Sequence, residues 1–180
     1  YNDSEYRAIP ARGYSKDHRP DLKQLVFGLS LHGSCGIPLV STMFSGNTAD
    51  PVANRFHIEA LGDLLPEQDD VTLVGDCKLV DGQTIGALLL QRFHFVSLVP
   101  HTFAIRGALV EEVRAAGIEM PELARGSGRT EADMPRVYRG RSFDRAFTAG
   151  WACVGDNHER EVQLRYLVVE SSQLEEKEEA

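Results

Sequence analysis

The sequence predicts an α/β domain: a mixed sheet flanked by helices, followed by a largely β stretch. Three observations predict it. Leu25 to Leu31 alternates apolar residues with Val26, Gly28 and Ser30, and a second strand-like run, Ile37 to Phe44, follows the glycine-rich turn His32-Gly33-Ser34-Cys35-Gly36. Helical and strand patterns then alternate as far as Val99. From Pro100 the texture changes to one helix, a glycine-, proline- and charge-rich stretch, and further strands. A hairpin followed by alternating helix and strand buries its apolar faces as a mixed sheet covered by helices.

The two runs at 25–31 and 37–44 form an antiparallel hairpin, with Pro38 tolerable only near a strand start or at an edge. Ser45 to Pro51 is a loop into a helix, with Asp50 as N-cap and Pro51 at the first helical position. Val52, Phe56, Ala60 and Leu64 recur every four residues and predict its apolar face. Val71-Thr72-Leu73-Val74-Gly75-Asp76 then reads as a buried strand delivering Asp76 to its C-terminal end. Open α/β sheets place their sites at that end, and Gly75 leaves room for a ligand or a neighbouring backbone. Asp81 caps a second helix with Ile85, Leu88 and Leu89 inward, and Phe93 to Val99 is one more buried strand.

Beyond Pro100, Ile105, Leu109 and Val113 suggest a helix ending near Gly117. Glu119 to Pro135 reads as a mobile loop, and Val137–Phe147, Trp151–Val154 and Val162–Val169 as a small antiparallel set of strands. Ser172 with Glu175 matches a capping box, so a helix is expected to start there. The organisation is thus 1–100, then a helix and antiparallel strands over 101–170, then the start of a helix over 171–180.

Composition narrows the function. A net charge of −8 over 180 residues disfavours a broad basic surface, so any nucleic-acid contact must be local. Cys35, Cys77 and Cys153 form neither a metal-ligand pair nor a disulfide framework, which suits a reducing cytoplasm. Cys77 reads as a buried thiol, and the histidines as structural or exposed. No apolar run approaches the roughly 18 residues of a membrane span.

Several stretches resemble a known family. Gly13-Tyr14-Ser15-Lys16-Asp17-His18-Arg19-Pro20-Asp21-Leu22-Lys23-Gln24 is similar to the signature of insertion-sequence transposases of the IS4 superfamily, IS1634 type. Gly36-Ile37-Pro38-Leu39, Gly46-Asn47-Thr48-Ala49-Asp50, Val74-Gly75-Asp76-Cys77-Lys78-Leu79, Phe95 to Pro100 and Arg165 to Ser172 resemble its later blocks, in order. The resemblance implies an RNase H-like fold over 1–100, a largely β insertion over 101–170, and a DDE triad. Asp76 would be its second aspartate and a ligand for Mg2+ or Mn2+. The first strand with its aspartate would precede Tyr1 and the catalytic helix with its glutamate would follow Ala180, so the chain reads as the central part of the enzyme and is expected to be inactive alone.

The resemblance also implies double-stranded DNA at terminal inverted repeats as partner, a homodimer in the synaptic complex, and a cytoplasmic, nucleoid-associated location. Lys16, Arg19, Lys23 and Asn47 are candidate DNA contacts, as are Arg136, Arg139 and Arg141, which with Arg145 make the densest positive stretch. Trp151 could stack on an extruded base. Each has a plainer account: interleaved salt bridges for the first cluster, a turn for Asn47, a solvated strand face for the arginines, and a packed insertion core for the tryptophan. The alternative reading is a degenerate transposase remnant that serves only as a DNA- or protein-interaction module. A phosphoacceptor or nucleotide-binding domain built on Asp76 would need a glycine-rich phosphate loop or more acidic partners, and the sequence offers neither.

Overall fold

The computed structural model describes residues 8–14, 19, 21–65, 70–126, 136–153 and 156–172. These form three helices and three small sheets, a mixed α/β arrangement. The chain divides into two compact units, one of residues 1–99 with 149–159 and one of 100–148 with 160–180. No described helix is long and apolar enough to cross a membrane.

In the first unit β1 (Leu25–Leu31) and β2 (Pro38–Ser45) form the antiparallel hairpin, with Phe27 opposite Met43 and Gly28 opposite Thr42. The turn closes with His32 N–H on the Ile37 carbonyl at 2.9 Å, and Gly36 takes a positive φ of 67°. Helix α1 (Asp50–Leu64) follows, then β3 (Thr72–Gly75), α2 (Gly82–Leu90) and β4 (His94–Ser97). β3 and β4 pair in parallel with Gly75 opposite Ser97, and α2 is the crossover between them.

The single mixed sheet of the sequence reading is replaced by two separate two-stranded sheets, β1-β2 and β3-β4. Their common support is the helical layer. Ile58 and Leu61 of α1, Leu88 of α2 and Phe93 form one buried cluster, with Leu39 and Val40 of β2, Leu73 of β3 and Phe95 of β4 packed against it. Only one face of each strand pair is covered. Phe27 of β1 is 62% exposed, Val74 of β3 78% and Val96 of β4 59%, so β3 and β4 are half-buried strands rather than the fully buried ones predicted from their apolar runs.

Three helical details also differ from the prediction. Ala49, not Asp50, is the N-cap of α1, and Asp50 is its first helical residue, where a carboxylate still favours the N-terminal dipole. The buried face of α1 is Ala53, His57, Ile58, Leu61 and Gly62, while Val52 and Leu64 are exposed. Small residues and a histidine make the inward stripe, which an apolarity pattern passes over. In α2 the Asp81 cap is as predicted, its Oδ1 accepting Thr84 N–H at 2.7 Å, and Ile85 and Leu88 are buried, but Leu89 faces outward.

In the second unit α3 (Ala104–Ala115) turns Leu109 inward and ends where Gly117 takes a φ of 55°. β5 (Glu122–Gly126) lies within the stretch predicted as a loop, the remainder of which, 127–135, falls outside the described residues. β6 (Arg136–Cys153) and β7 (Asp156–Ser171) complete a three-stranded sheet in the order β5-β6-β7. The two strands predicted at 137–147 and 151–154 are therefore one. Phe103 stacks on Phe147 at 5.4 Å, and Arg145 of β6 grips Glu112 of α3 at 2.8 Å. Ser172 Oγ accepts the Val137 N–H at 3.2 Å, and Glu175, the other member of the expected capping box, lies outside the described residues.

Candidate functional site

Asp76 stands one residue beyond the end of β3, at the start of a tight turn. Its Oδ1 accepts the Lys78 N–H at 2.8 Å, the geometry by which an aspartate shapes its own turn. Its backbone carbonyl accepts the Leu79 N–H at 3.0 Å and the Ser97 hydroxyl at 2.6 Å. Ser97 is the last residue of β4, so the parallel partner holds the Asp76 backbone at the strand end. From the other side Asn54 of α1 donates Nδ2–H to the Lys78 carbonyl at 2.6 Å. Lys78 Nζ lies 3.8 Å from the Asp50 carboxylate, an exposed pair of small energetic weight.

The turn 76–79 is thus fixed from both β4 and α1. The space beside Gly75, expected to admit a ligand, is filled: a Cβ there would come within 2.9 Å of the Leu79 side chain. Cys77 is half-buried rather than buried.

The motif blocks at 13–24 and 46–50 meet in space. Gln24 Nε2 donates to the Tyr14 carbonyl at 3.0 Å and to the Gly46 carbonyl at 2.9 Å. Gln24 and Ala11 exchange backbone bonds at 2.9 and 3.2 Å, and Gly46 N–H reaches the Ile9 carbonyl at 3.3 Å. At Gly46 the chains pass so closely that a Cβ would overlap the carbonyls of both Gln24 and Ala11. Only glycine fits there.

The cationic candidates are more scattered. Arg19 forks onto Asp21 through Nε at 2.9 Å and Nη2 at 2.8 Å, and the guanidinium holds the Asp21 carboxyl below its usual range. Lys23 and Asn47 are exposed, and Lys16 lies outside the described residues. Arg139 and Arg141 are exposed on β6, sharing a face with Arg145 by the two-residue period, while Arg136 falls on the opposite face and is half-buried. Arg145 is engaged by Glu112 and lies over the Phe143 ring at 5.4 Å. Arg165 and Asp144 pair at 3.0 Å. Trp151 belongs to β6, but its side chain lies outside the described residues. Sequence reasoning missed Asn54, Ser97 and Gln24, whose contacts join segments far apart in the chain. The signal for Ser97 was its position at the end of a parallel strand.

A two-cation site was tested against these residues. Among the described residues no group of three or more His, Cys, Asp or Glu side chains could hold a metal ion. Asp76 is an exposed carboxylate with one oxygen already engaged, and Asp50 faces Lys78. The described residues alone do not fit a two-cation centre. No protein-family model, curated protein or solved structure matches the chain.

Proposed function

We propose that the chain is the central part of an RNase H-like DNA transposase, with Asp76 as one acid of a metal site whose other acids lie outside the described residues. The observation that carries this reading is the position of Asp76. It sits at the C-terminal end of a parallel strand pair, where α/β sheets present functional groups, and its backbone is fixed by Ser97 and by the Asn54-supported turn. The element order, an antiparallel hairpin, a helix, then two parallel strands with a helical crossover, agrees with that fold. β1-β2 and β3-β4 are also left as separate pairs with one uncovered apolar face, as they would be if a further strand joined them.

Mg2+ or Mn2+ bound by such acids would supply the activation of the attacking oxygen and the stabilisation of the leaving one. The contribution of this chain is a carboxylate of fixed direction. The partner is duplex DNA at transposon ends, engaged by a homodimer, with Arg139 and Arg141 as the exposed cations available for phosphate contact. In a polypeptide that carries this chain together with the remaining acids, Asp76→Asn abolishes cleavage of a transposon-end duplex and leaves DNA binding by gel shift intact. Retained cleavage overturns the assignment.

The exposure of Asp76, with its Oδ1 already spent on the turn, favours a second reading: a folded remnant acting only as a DNA- or protein-interaction module. It predicts that no addition of the missing acids restores cleavage.

A further inference from the structure

His57 is buried, 7% exposed on the inward face of α1. Its Nδ1 lies 2.8 Å from Ser30 Oγ of β1. Its Nε2 is buried with no hydrogen-bond partner, pressed against Gly28, where a Cβ would overlap it. The rings of Phe44 and Phe56 flank it, with centroids 6.0 and 6.1 Å away.

Among the described residues no counter-ion meets this imidazole. The elements packed on α1 are β1, β2 and α2, whose sequences LVFGLSL, PLVSTMFS and GQTIGALLL contain no titratable side chain. On α1 itself Arg55 and Glu59 point about 160° away from His57 at 3.6 residues per turn, and Arg55 is engaged by Asp81 at 3.6 Å. Asp63 is roughly 9 Å and Asp50 roughly 10.5 Å away along the axis at about 1.5 Å per residue.

From this geometry we infer that the His57–Ser30–Gly28 contact is an acid-sensitive seam, whose protonation releases α1 from the β1-β2 hairpin and with it the Asp76 turn. In either neutral tautomer Ser30 completes the bond to Nδ1, and one weak polar site at Nε2 goes bare. The imidazolium has two N–H donors, and the one at Nε2 would be a charged donor with no acceptor in an apolar pocket. Such a group is expelled rather than tolerated. Asn54 lies one turn before His57 on the same helix, so loosening α1 removes its bond to the Lys78 carbonyl. The seam does not depend on the chemistry proposed for Asp76.

Burial holds the His57 imidazole below its ordinary range. The unfolded chain therefore binds the proton more readily than the folded one. Stability is full above the ordinary value of about 6.5 and is lost as pH falls from there through the folded value.

The test is an NMR titration of the histidine Cε1–H signals in the 180-residue chain, with amide exchange measured at the same pH values. The His57 signal titrates below the ordinary imidazole value of about 6.5. Protection factors of α1, of the hairpin and of the Lys78 amide fall together, by up to roughly ten-fold per pH unit for a single proton. His57→Leu removes that fall. If this variant does not fold, the wild-type titration decides. A His57 signal that titrates at or above that ordinary value, protection unchanged between pH 7 and 5.5, or a fall that survives in a folded His57→Leu overturns the inference.

Discussion

Asn54 donates its side-chain N–H to the Lys78 carbonyl at 2.6 Å, which couples the first turns of α1 to the turn that presents Asp76. The two residues are 24 positions apart, and the bond makes the aspartate's direction depend on a helix. Asn54→Ala is expected to cost about 1 kcal/mol, the usual net value of one such bond. Loss of Lys78 amide protection, with that of α2 unchanged, would show that the effect is local.

Asp81 offers an independent check on α2. Its cap bond to Thr84 N–H is 2.7 Å, whereas its ion pair with Arg55 is long and partly exposed. Asp81→Ala should therefore lower stability in urea by about 1 kcal/mol, while Asp81→Asn retains most of it. Equal losses in the two variants would transfer the weight to the ion pair.

At Gly46 the obstacle to a side chain is backbone on two sides, from Gln24 and Ala11. Backbone cannot swing aside as a rotamer can. Gly46→Ala should destabilise by about 1–3 kcal/mol or more, as overpacking does. A thermal midpoint indistinguishable from that of the parent would refute the close approach.

The uncovered sheet faces predict self-association. Phe27, Leu29 and Leu31 of β1 and Met43 of β2 are exposed, and neither strand carries a charge that would discourage a neighbour. Phe27→Lys should raise solubility and reduce concentration-dependent sedimentation while leaving the melting temperature nearly unchanged. A parent chain that stays monomeric at high concentration would contradict this.

For the DNA reading, Arg139→Ala with Arg141→Ala should weaken duplex binding uniformly across sequences. It should reduce the slope of log K against log salt by about 1.8, at roughly 0.9 per phosphate contact. Arg125→Ala serves as control, because Arg125 is engaged by Glu122 at 2.9 Å. An equal loss of slope in the control would remove Arg139 and Arg141 from the interface.

Local signals in the sequence located much of the first unit. Alternation between Leu25 and Leu31 reproduces β1, and the Asp81 cap marks the start of α2, because both depend on neighbours along the chain. The inward face of α1 was not legible. His57 and Gly62 are buried there by what faces them, Gly28 and Ser30 on one strand and Gln91 after α2, and no periodicity of apolar residues reports that. The length of β6 was hidden for a similar reason: its polar and charged positions are satisfied by partners from elsewhere, such as Glu112 for Arg145 and Arg165 for Asp144.

By itself, then, the sequence determined the kinds and order of the elements from β1 to α3, and the placement of Asp76 after a short apolar strand. Those follow from backbone propensity and from side chains a few residues apart. Tertiary structure alone decided that the strands form separate pairs, that Ser97 and Asn54 hold the Asp76 turn, and that His57 is buried with no counter-ion among the described residues. Each of these depends on which distant groups meet, and a hydrogen bond or an excluded charge has no energy until its partner, or the absence of one, is fixed in space.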